Sequence, residues 1–244
     1  MSYSPKSEDV VSLGNYRGNE LKVALPGKDD YIQSCVRADR CLWGQGTLGW
    51  VLKYIPENAN VVDIGAYIGS SALWLVRYAG AKSVVAIEPD PVSYGILRAN
   101  VGLNGLDGII IPVQRAVWDS VGSAYLSADS INNHGAAQYR PCRSDASWSV
   151  PMADLDTILK GRSGKIDFIY TEMEGYEYKA FHGARSVLAR DSPVVVVTTF
   201  GMGDITIRRD YDGLQGYSRL TVELAEMGYF CDARHGRTSV FVKV

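Results

Sequence analysis

From residue 60 onward, short apolar runs alternate with stretches whose apolar positions recur every three or four residues. NVVDIG reads as a buried strand, SSALWLVRYAG as a helix, SVVAIEPD as a strand, and PVSYGILRANVGLNG as a helix opened by proline. IIIPVQRAVWD predicts a third strand and KIDFIYTE a fourth; PVVVVTTF, apolar almost throughout, predicts a fifth that is covered on both faces. Strands alternating with helices imply a parallel sheet. GYFCDARHGRTSVFVKV breaks the alternation and predicts two strands joined at Arg-His-Gly-Arg, a hairpin that closes the sheet.

Ahead of this region the pattern is weaker. Residues 1–18 are polar with no sustained period and suit a loosely docked arm. ELKVAL and YIQSCV, on either side of Pro26, Gly27 and Lys28, predict a hairpin, and Thr47 to Ile55 a helix ended by Pro56. The expected division is therefore 1–55, an arm, hairpin and helix packed on the core, and 56–244, the α/β domain. Between the third and fourth strands, Ser127 to Val150 shows no period and is rich in Ser, Asn, Gly, Asp and Ala. Long loops of this kind are uncommon and often functional.

Composition narrows the classes. With 244 residues and 46% hydrophobic content, the chain has material for one sizeable core. Its 25 basic and 27 acidic residues are well mixed, which leaves no electrostatic footprint for a polyanion, so no nucleic-acid partner is expected. No stretch approaches the ~20 apolar residues of a membrane span, and the first residues lack the apolar core of a secretory signal. The expected location is the cytoplasm. Cys35, Cys41, Cys142 and Cys231 form no C-x-x-C pair, so a zinc site or redox dithiol finds no support; reduced, mostly buried thiols and no metal are expected.

The most informative segment is Asp63-Ile64-Gly65-Ala66-Tyr67-Ile68-Gly69-Ser70, where a buried strand enters a glycine loop and then a helix N-terminus. Such a loop exposes backbone N–H groups, and glycines let a ligand come close to them. The spacing D-x-G-x-x-x-G is not the G-x-G-x-x-G of dinucleotide enzymes and better suits the amino-acid end of S-adenosylmethionine. Alone, the motif is also compatible with an ordinary strand-to-helix turn. Glu88 ends the next strand, about 20 residues on, where an acidic side chain can accept hydrogen bonds from both hydroxyls of a ribose. Taken together, the two features point to a nucleoside carrying an amino-acid group.

VVDIGAYIG, the IEPDP turn, LRANVGLNGL, RAVWD, LDTIL and IDFIYTEMEGYE followed by HGA resemble, in order and spacing, the FkbM family of methyltransferases. The resemblance runs from about Asn60 to Val197. It implies a class I methyltransferase Rossmann-like α/β fold with a mostly parallel seven-stranded sheet, and S-adenosylmethionine as donor with S-adenosylhomocysteine as product. By resemblance Asp63, Gly65 and Gly69 line the methionine part, Glu88 holds the ribose, and Arg115 and Ala116 lie near the adenine. Ala66, Tyr67, Ser70 and Pro89, their neighbours in the loop and turn, complete the expected donor site, and Asn104 closes the helix after it. Where family members carry K-I-D-x-E-G, this chain reads Tyr170-Thr171-Glu172-Met173-Glu174-Gly175. Tyr170 thus replaces a cation, and Glu172 reaches one methylene further than aspartate. Trp43-Gly44-Gln45-Gly46-Thr47 also lacks a glutamate often present there.

Glu172 ends a parallel strand on the carboxyl edge, where open α/β sheets bind ligands. It and Glu174 are candidate bases for an acceptor hydroxyl or amine. Glu177, in the first turn of the next helix, fits a role in complementing that helix terminus. Among the histidines, His134 in the long loop is a rival base, His182 reads as structural, and His235 falls in the terminal hairpin turn. The expected catalytic set is Glu172, Glu174, His134 and Tyr170. Tyr67, Tyr139, Trp148 and Tyr170 offer aromatic faces for a sugar or ring, or ordinary packing.

The function read from these residues is O-methylation of a small-molecule or glycan hydroxyl, with no membrane partner and homo-oligomerisation left open. Two alternatives stand beside it. One is protein or guanidino N-methylation, loosely suggested by Thr-Glu-Met-Glu-Gly-Tyr but lacking a second glutamate near Phe181 and His182. The other is a non-catalytic S-adenosylmethionine-binding module.

Overall fold

The computed structural model describes residues 3–16, 18–126, 139–140, 149–173, 175–199 and 213–243. The chain opens with an antiparallel pair, β1 (Val10–Tyr16) and β2 (Asn19–Ala24), followed by α1 (Tyr31–Asp39) and α2 (Gln45–Val51). A β–α alternation then runs through β3 (Asn60–Ile64), α3 (Ser70–Arg77), β4 (Ser83–Ile87), α4 (Pro91–Leu103) and β5 (Ile110–Val113). Next come β6 (Ala116–Trp118), β7 (Gly122–Leu126), β8 (Tyr139–Arg140), β9 (Ser149–Asp154) and α5 (Leu155–Ile158). β10 (Phe168–Thr171), α6 (Glu177–His182), α7 (Arg185–Asp191), β11 (Val194–Thr198) and α8 (Gly213–Glu226) lead to the terminal pair β12 (Tyr229–His235) and β13 (Thr238–Lys243).

The main sheet has seven strands in the order β12-β13-β11-β10-β3-β4-β5. β11, β10, β3, β4 and β5 are parallel, and β13 and β12 close one edge as an antiparallel hairpin. The expected architecture is borne out. Alternate residues of each strand feed the two sides: Val61, Val84, Phe168, Tyr170, Val196 and Val240 enter one core, and Val62, Val85, Ile169, Val195, Val197 and Phe241 the other. The first core is roofed by Leu21, Val23, Leu48, Val51 and Leu73, the second by Phe181, Leu188, Leu220 and Leu224. A parallel sheet buried on both faces is the physical reason these strands read as unbroken apolar runs.

Three expectations need correction. YIQSCV is not a strand but the body of α1, capped by Asp30, whose Oδ1 accepts from the Gln33 amide at 2.9 Å. The partner of ELKVAL is β1, so residues 10–16 form a strand within the segment expected to be a loose arm. β2 also docks onto α4: the Ala24 amide donates to Asn100 Oδ1 at 2.6 Å, and Lys22 exchanges hydrogen bonds with the Asn104 side-chain amide at 3.0 and 2.7 Å. Finally, IIIPVQRAVWD is two strands. β5 stays in the main sheet, whereas β6 leaves it and pairs with β9 in a separate four-stranded sheet, order β6-β9-β7-β8, whose strands β8 and β9 take in Tyr139–Arg140 and the last two residues of the segment expected to be a loop. The cysteines are also less buried than expected: Cys35 and Cys41 are half-buried and Cys231 is exposed, while Cys142 falls outside the described residues.

Candidate active site

The carboxyl ends of β3, β4 and β10 converge on the glycine loop. Gly65 adopts φ +83° and Gly69 φ +92°, conformations that a side chain opposes. A Cβ on Gly65 would lie 2.1 Å from the Glu172 carbonyl oxygen, and one on Gly69 2.7 Å from Leu97 Cδ1. The Glu172 amide donates to the Ile64 carbonyl at 3.0 Å, which fixes the end of β10 against the loop. Both motifs read from the sequence are therefore in direct backbone contact.

The loop amides are more engaged than a bare anion cradle would be. Those of Gly65 and Ala66 both donate to the Ile87 carbonyl at 3.0 Å, that of Gly69 to Ala66 at 2.8 Å, and that of Tyr67 to Glu88 Oε2 at 2.8 Å. This corrects the expectation of uncovered N–H groups. What stays unmatched lies in the side chains that flank the loop: Asp63 Oδ1 near the end of β3 and Ser70 Oγ at the start of α3 are buried without partners, while Asp63 Oδ2 accepts from Ser71 Oγ at 2.6 Å. A buried carboxylate oxygen without a donor is costly unless something polar meets it.

Glu88 is buried beside the loop, with Oε2 on the Tyr67 amide and Oε1 on the Asp90 amide, both at 2.8 Å. Burial pushes its carboxyl up to about 8 against those two hydrogen bonds, and Asp63 up to about 7 against the Ser71 bond. A nearby cation would favour the ionised form of each. Pro89 and Asp90 follow Glu88, and Asp90 caps α4 through the Ser93 amide at 2.8 Å. The Glu88 amide donates to the Val113 carbonyl at 3.0 Å, which brings exposed Arg115 and buried Ala116 near the same edge.

Tyr170 is buried on β10, paired in register with Asp63 and with Val196. Half-buried Glu172 is held above its ordinary range by burial, countered first by the charge of Arg237 and then by a hydrogen bond from Tyr170. Glu177 is buried at the start of α6, and its Oε1 accepts from the Met173 amide at 3.0 Å and the Gly175 amide at 3.2 Å. It thus stabilises the turn after β10, with its carboxyl raised to about 7 by burial. Glu174 and His134 lie outside the described residues, as does Trp148. His182 sits on an exposed surface with Nδ1 2.7 Å from Glu223, and His235 lies over Trp50 with ring centroids 5.4 Å apart.

Two groups went unnoticed in the sequence. Gln33 of α1 is buried and donates to the Tyr67 hydroxyl at 2.9 Å, tying the N-terminal elements to the glycine loop. A lone glutamine in a segment read as a strand gave no signal. Arg237 follows the glycine of the terminal turn, where an arginine reads as ordinary solvated surface.

A doubly covered parallel sheet with a glycine loop after its first strand, an acid after its second and a closing hairpin defines a class I methyltransferase fold. Residues 63–231 match the methyltransferase FkbM domain, and the chain belongs to that family. Among solved structures it resembles the methyltransferase FkbM from Methylobacillus flagellatus, with a TM-score of 0.52 and 17% identity over 76% of this chain and 43% of that one, a likeness of fold. Among curated proteins it is 30% identical over 112 residues to the ribosomal protein L11 methyltransferase of Clostridium botulinum, covering 45% of this chain and 29% of that protein. It is 33% identical over 73 residues to a methyltransferase of Sordaria araneosa, covering 30% of this chain and 28% of that protein. The matched region thus spans under a third of the length of these two curated relatives. Among the described residues, no helix is long and apolar enough to cross a membrane.

Proposed function

We propose that this chain is an S-adenosylmethionine-dependent methyltransferase that acts on a hydroxyl of a small molecule or glycan. The observation that carries the donor reading is the unmatched, buried Asp63 Oδ1 near the end of β3, next to a loop whose Gly65 has no room for a side chain and beside buried Glu88. These residues fit the donor: Asp63 would face its cationic amino-acid end, Gly65 and Gly69 the methionine part, and Glu88 the ribose, with Arg115 and Ala116 toward the adenine. When bound, the donor supplies an electrophilic methyl on a sulfonium. The chain's own part is to orient the acceptor, exclude water and take up a proton. Glu172, at the carboxyl edge beside the loop, is the residue best placed to take that proton, with the Tyr170 hydroxyl orienting its carboxylate. We place the protein in the cytoplasm.

The name of the ribosomal protein L11 methyltransferases supports a second reading, in which the acceptor is a protein. The same glutamate would serve either acceptor.

Calorimetry with S-adenosylmethionine, S-adenosylhomocysteine and NAD tests the donor reading. The first two should bind and NAD should not. Glu88→Ala should weaken both by about 1.5–3 kcal/mol through loss of charge-assisted bonds to the ribose. Unchanged affinity in a folded Glu88→Ala variant would remove Glu88 from the donor site. Transfer of a labelled methyl group to a panel of hydroxyl compounds and to a protein extract then separates the two acceptor readings.

A further inference from the structure

We infer that Gln33 of α1, which lies outside the stretch matched to the family, is a positioning residue for the donor site: it clamps Tyr67 and so fixes the backbone turn that holds Glu88. The inference rests on the reading of the glycine loop and Glu88 as the donor site. It starts from an outlier in backbone conformation. Among the described residues, four that are not glycine have positive φ. Arg40 and Ser192 are the C-caps of α1 and α7, where a left-handed residue ends a helix, and Asn58 is of a type that tolerates this region. Tyr67, at φ +50°, has neither reason. A bulky side chain in this region marks a place where the surroundings impose the conformation.

Two contacts impose it, one at each end of the residue. The Tyr67 amide donates to Glu88 Oε2 at 2.8 Å, and the Tyr67 hydroxyl accepts from Gln33 Nε2 at 2.9 Å. The loop on either side is already fastened, since the Ala66 amide donates to the Ile87 carbonyl at 3.0 Å and the Ile68 carbonyl accepts from Asn100 Nδ2 at 2.8 Å. The freedom left is rotation of the two peptides that flank Tyr67. Turning the first of them takes the amide off Glu88.

Gln33 is built to resist that rotation. It is buried, its Oε1 accepts from the Gly27 amide at 2.8 Å, and its own amide donates to Asp30 Oδ1 at 2.9 Å. With Oε1 occupied by an N–H, the carboxamide has one orientation, and Nε2 faces the tyrosine. A Cβ on Gly27 would lie 2.8 Å from Nε2, so the chain ahead of α1 packs directly on the carboxamide. The consequence for the site is a matter of population. Each Glu88 oxygen holds one amide, Tyr67 or Asp90, and keeps a lone pair for a ribose hydroxyl. When Tyr67 relaxes, fewer molecules present Glu88 in this direction, and apparent donor affinity falls with that fraction.

The test uses calorimetry with S-adenosylhomocysteine on the full chain, and amide hydrogen exchange by NMR on the same chain without ligand. Tyr67→Phe and Gln33→Met should each raise Kd by about 2- to 10-fold, the span of one hydrogen bond, and the double variant no further. Each should speed exchange of the residue-67 amide by a similar factor and leave the Gly65 amide, bonded to Ile87, as it was. In a Tyr67→Asn background, where the side chain accepts positive φ without a clamp, adding Gln33→Met should leave Kd unchanged. Arg37→Met removes a different side-chain bond of α1, to the Leu25 carbonyl, and should move neither measurement. Additive losses in the double variant, exchange that quickens equally at Gly65, or an equal effect of Arg37→Met overturns the inference, because Gln33 would then only stabilise the N-terminal elements. If Gln33→Met loosens α1 by stranding the Gly27 amide, Tyr67→Phe decides, since it keeps every backbone contact of Gln33; normal donor affinity and exchange in that variant overturn the clamp. Failure of the unaltered chain to bind S-adenosylhomocysteine sinks the donor reading instead, and with it the role assigned to Gln33 there.

Discussion

At the scale of single residues, Gly65 does two things at once. Its φ of +83° permits the turn out of β3, and its missing side chain admits the Glu172 carbonyl. A methyl group there would collide with backbone that is itself held by the Ile64 carbonyl, so neither partner can retreat cheaply. From the sequence alone, loss at Gly65 would be expected to fall on the donor; the contact with Glu172 adds a cost to the fold. Gly65→Ala should therefore lower stability in denaturant titrations well beyond the ~1–2 kcal/mol of left-handed strain. Gly105→Ala is the control: φ is +62° but nothing lies within 4 Å of the added carbon, so only the strain should appear. Equal losses at the two sites would mean that the Gly65 contact yields freely.

At the scale of elements, the N-terminal hairpin is held to the α/β core by side chains in place of a shared sheet. Asn100 of α4 accepts from the Ala24 amide and donates to the Ile68 carbonyl at 2.8 Å, so one buried amide links β2, α4 and the glycine loop. Asn100→Ala should cost about 1–3 kcal/mol, because it strands a buried N–H and a carbonyl together. Urea titration of the variant checks this, and a loss below half a kilocalorie would mean that water replaces the amide. The docking explains which elements were legible in the sequence. β3, β4, β10 and β11 are buried on both faces, so their apolar runs announce them, and Asp90 followed by Pro91 marks the start of α4. In α1 only Gln33 and Val36 are buried, too few to impose a period that distinguishes a helix from a half-buried strand. β6 could not be separated from β5 because both are apolar and their parting depends on β9, far along the chain. The site followed the same rule: local motifs gave Gly65, Gly69 and Glu88, whereas Gln33 reaches the site only through tertiary packing.

For the whole molecule, the consequence of this arrangement is a set of buried carboxyls at one edge of the sheet. Burial raises Asp63 and Glu177 to about 7 and Glu88 to about 8, from the ordinary range near 4. Between these limits the folded protein keeps protons that the unfolded chain has already released. Stability then falls as pH rises, because the slope follows protons bound unfolded minus protons bound folded, and that difference is negative here. The free protein should accordingly show a higher Tm at pH 5 than at pH 8, with each kilocalorie lost lowering Tm by about 2–4 °C for a chain of this size. On the proposed donor reading, a bound cation would reverse the balance, since a sulfonium and an ammonium favour the ionised forms of Asp63 and Glu88. Saturating S-adenosylmethionine should flatten the decline, and S-adenosylhomocysteine, which lacks the sulfonium charge, should flatten it less. Glu177 serves the turn after β10 and should keep its share of the slope with either ligand, so Glu177→Gln should remove that share alone. Scanning calorimetry at pH 5, 6.5 and 8 reads all of these curves, and a Tm that climbs across this interval in the free protein would show that the buried carboxyls ionise without penalty.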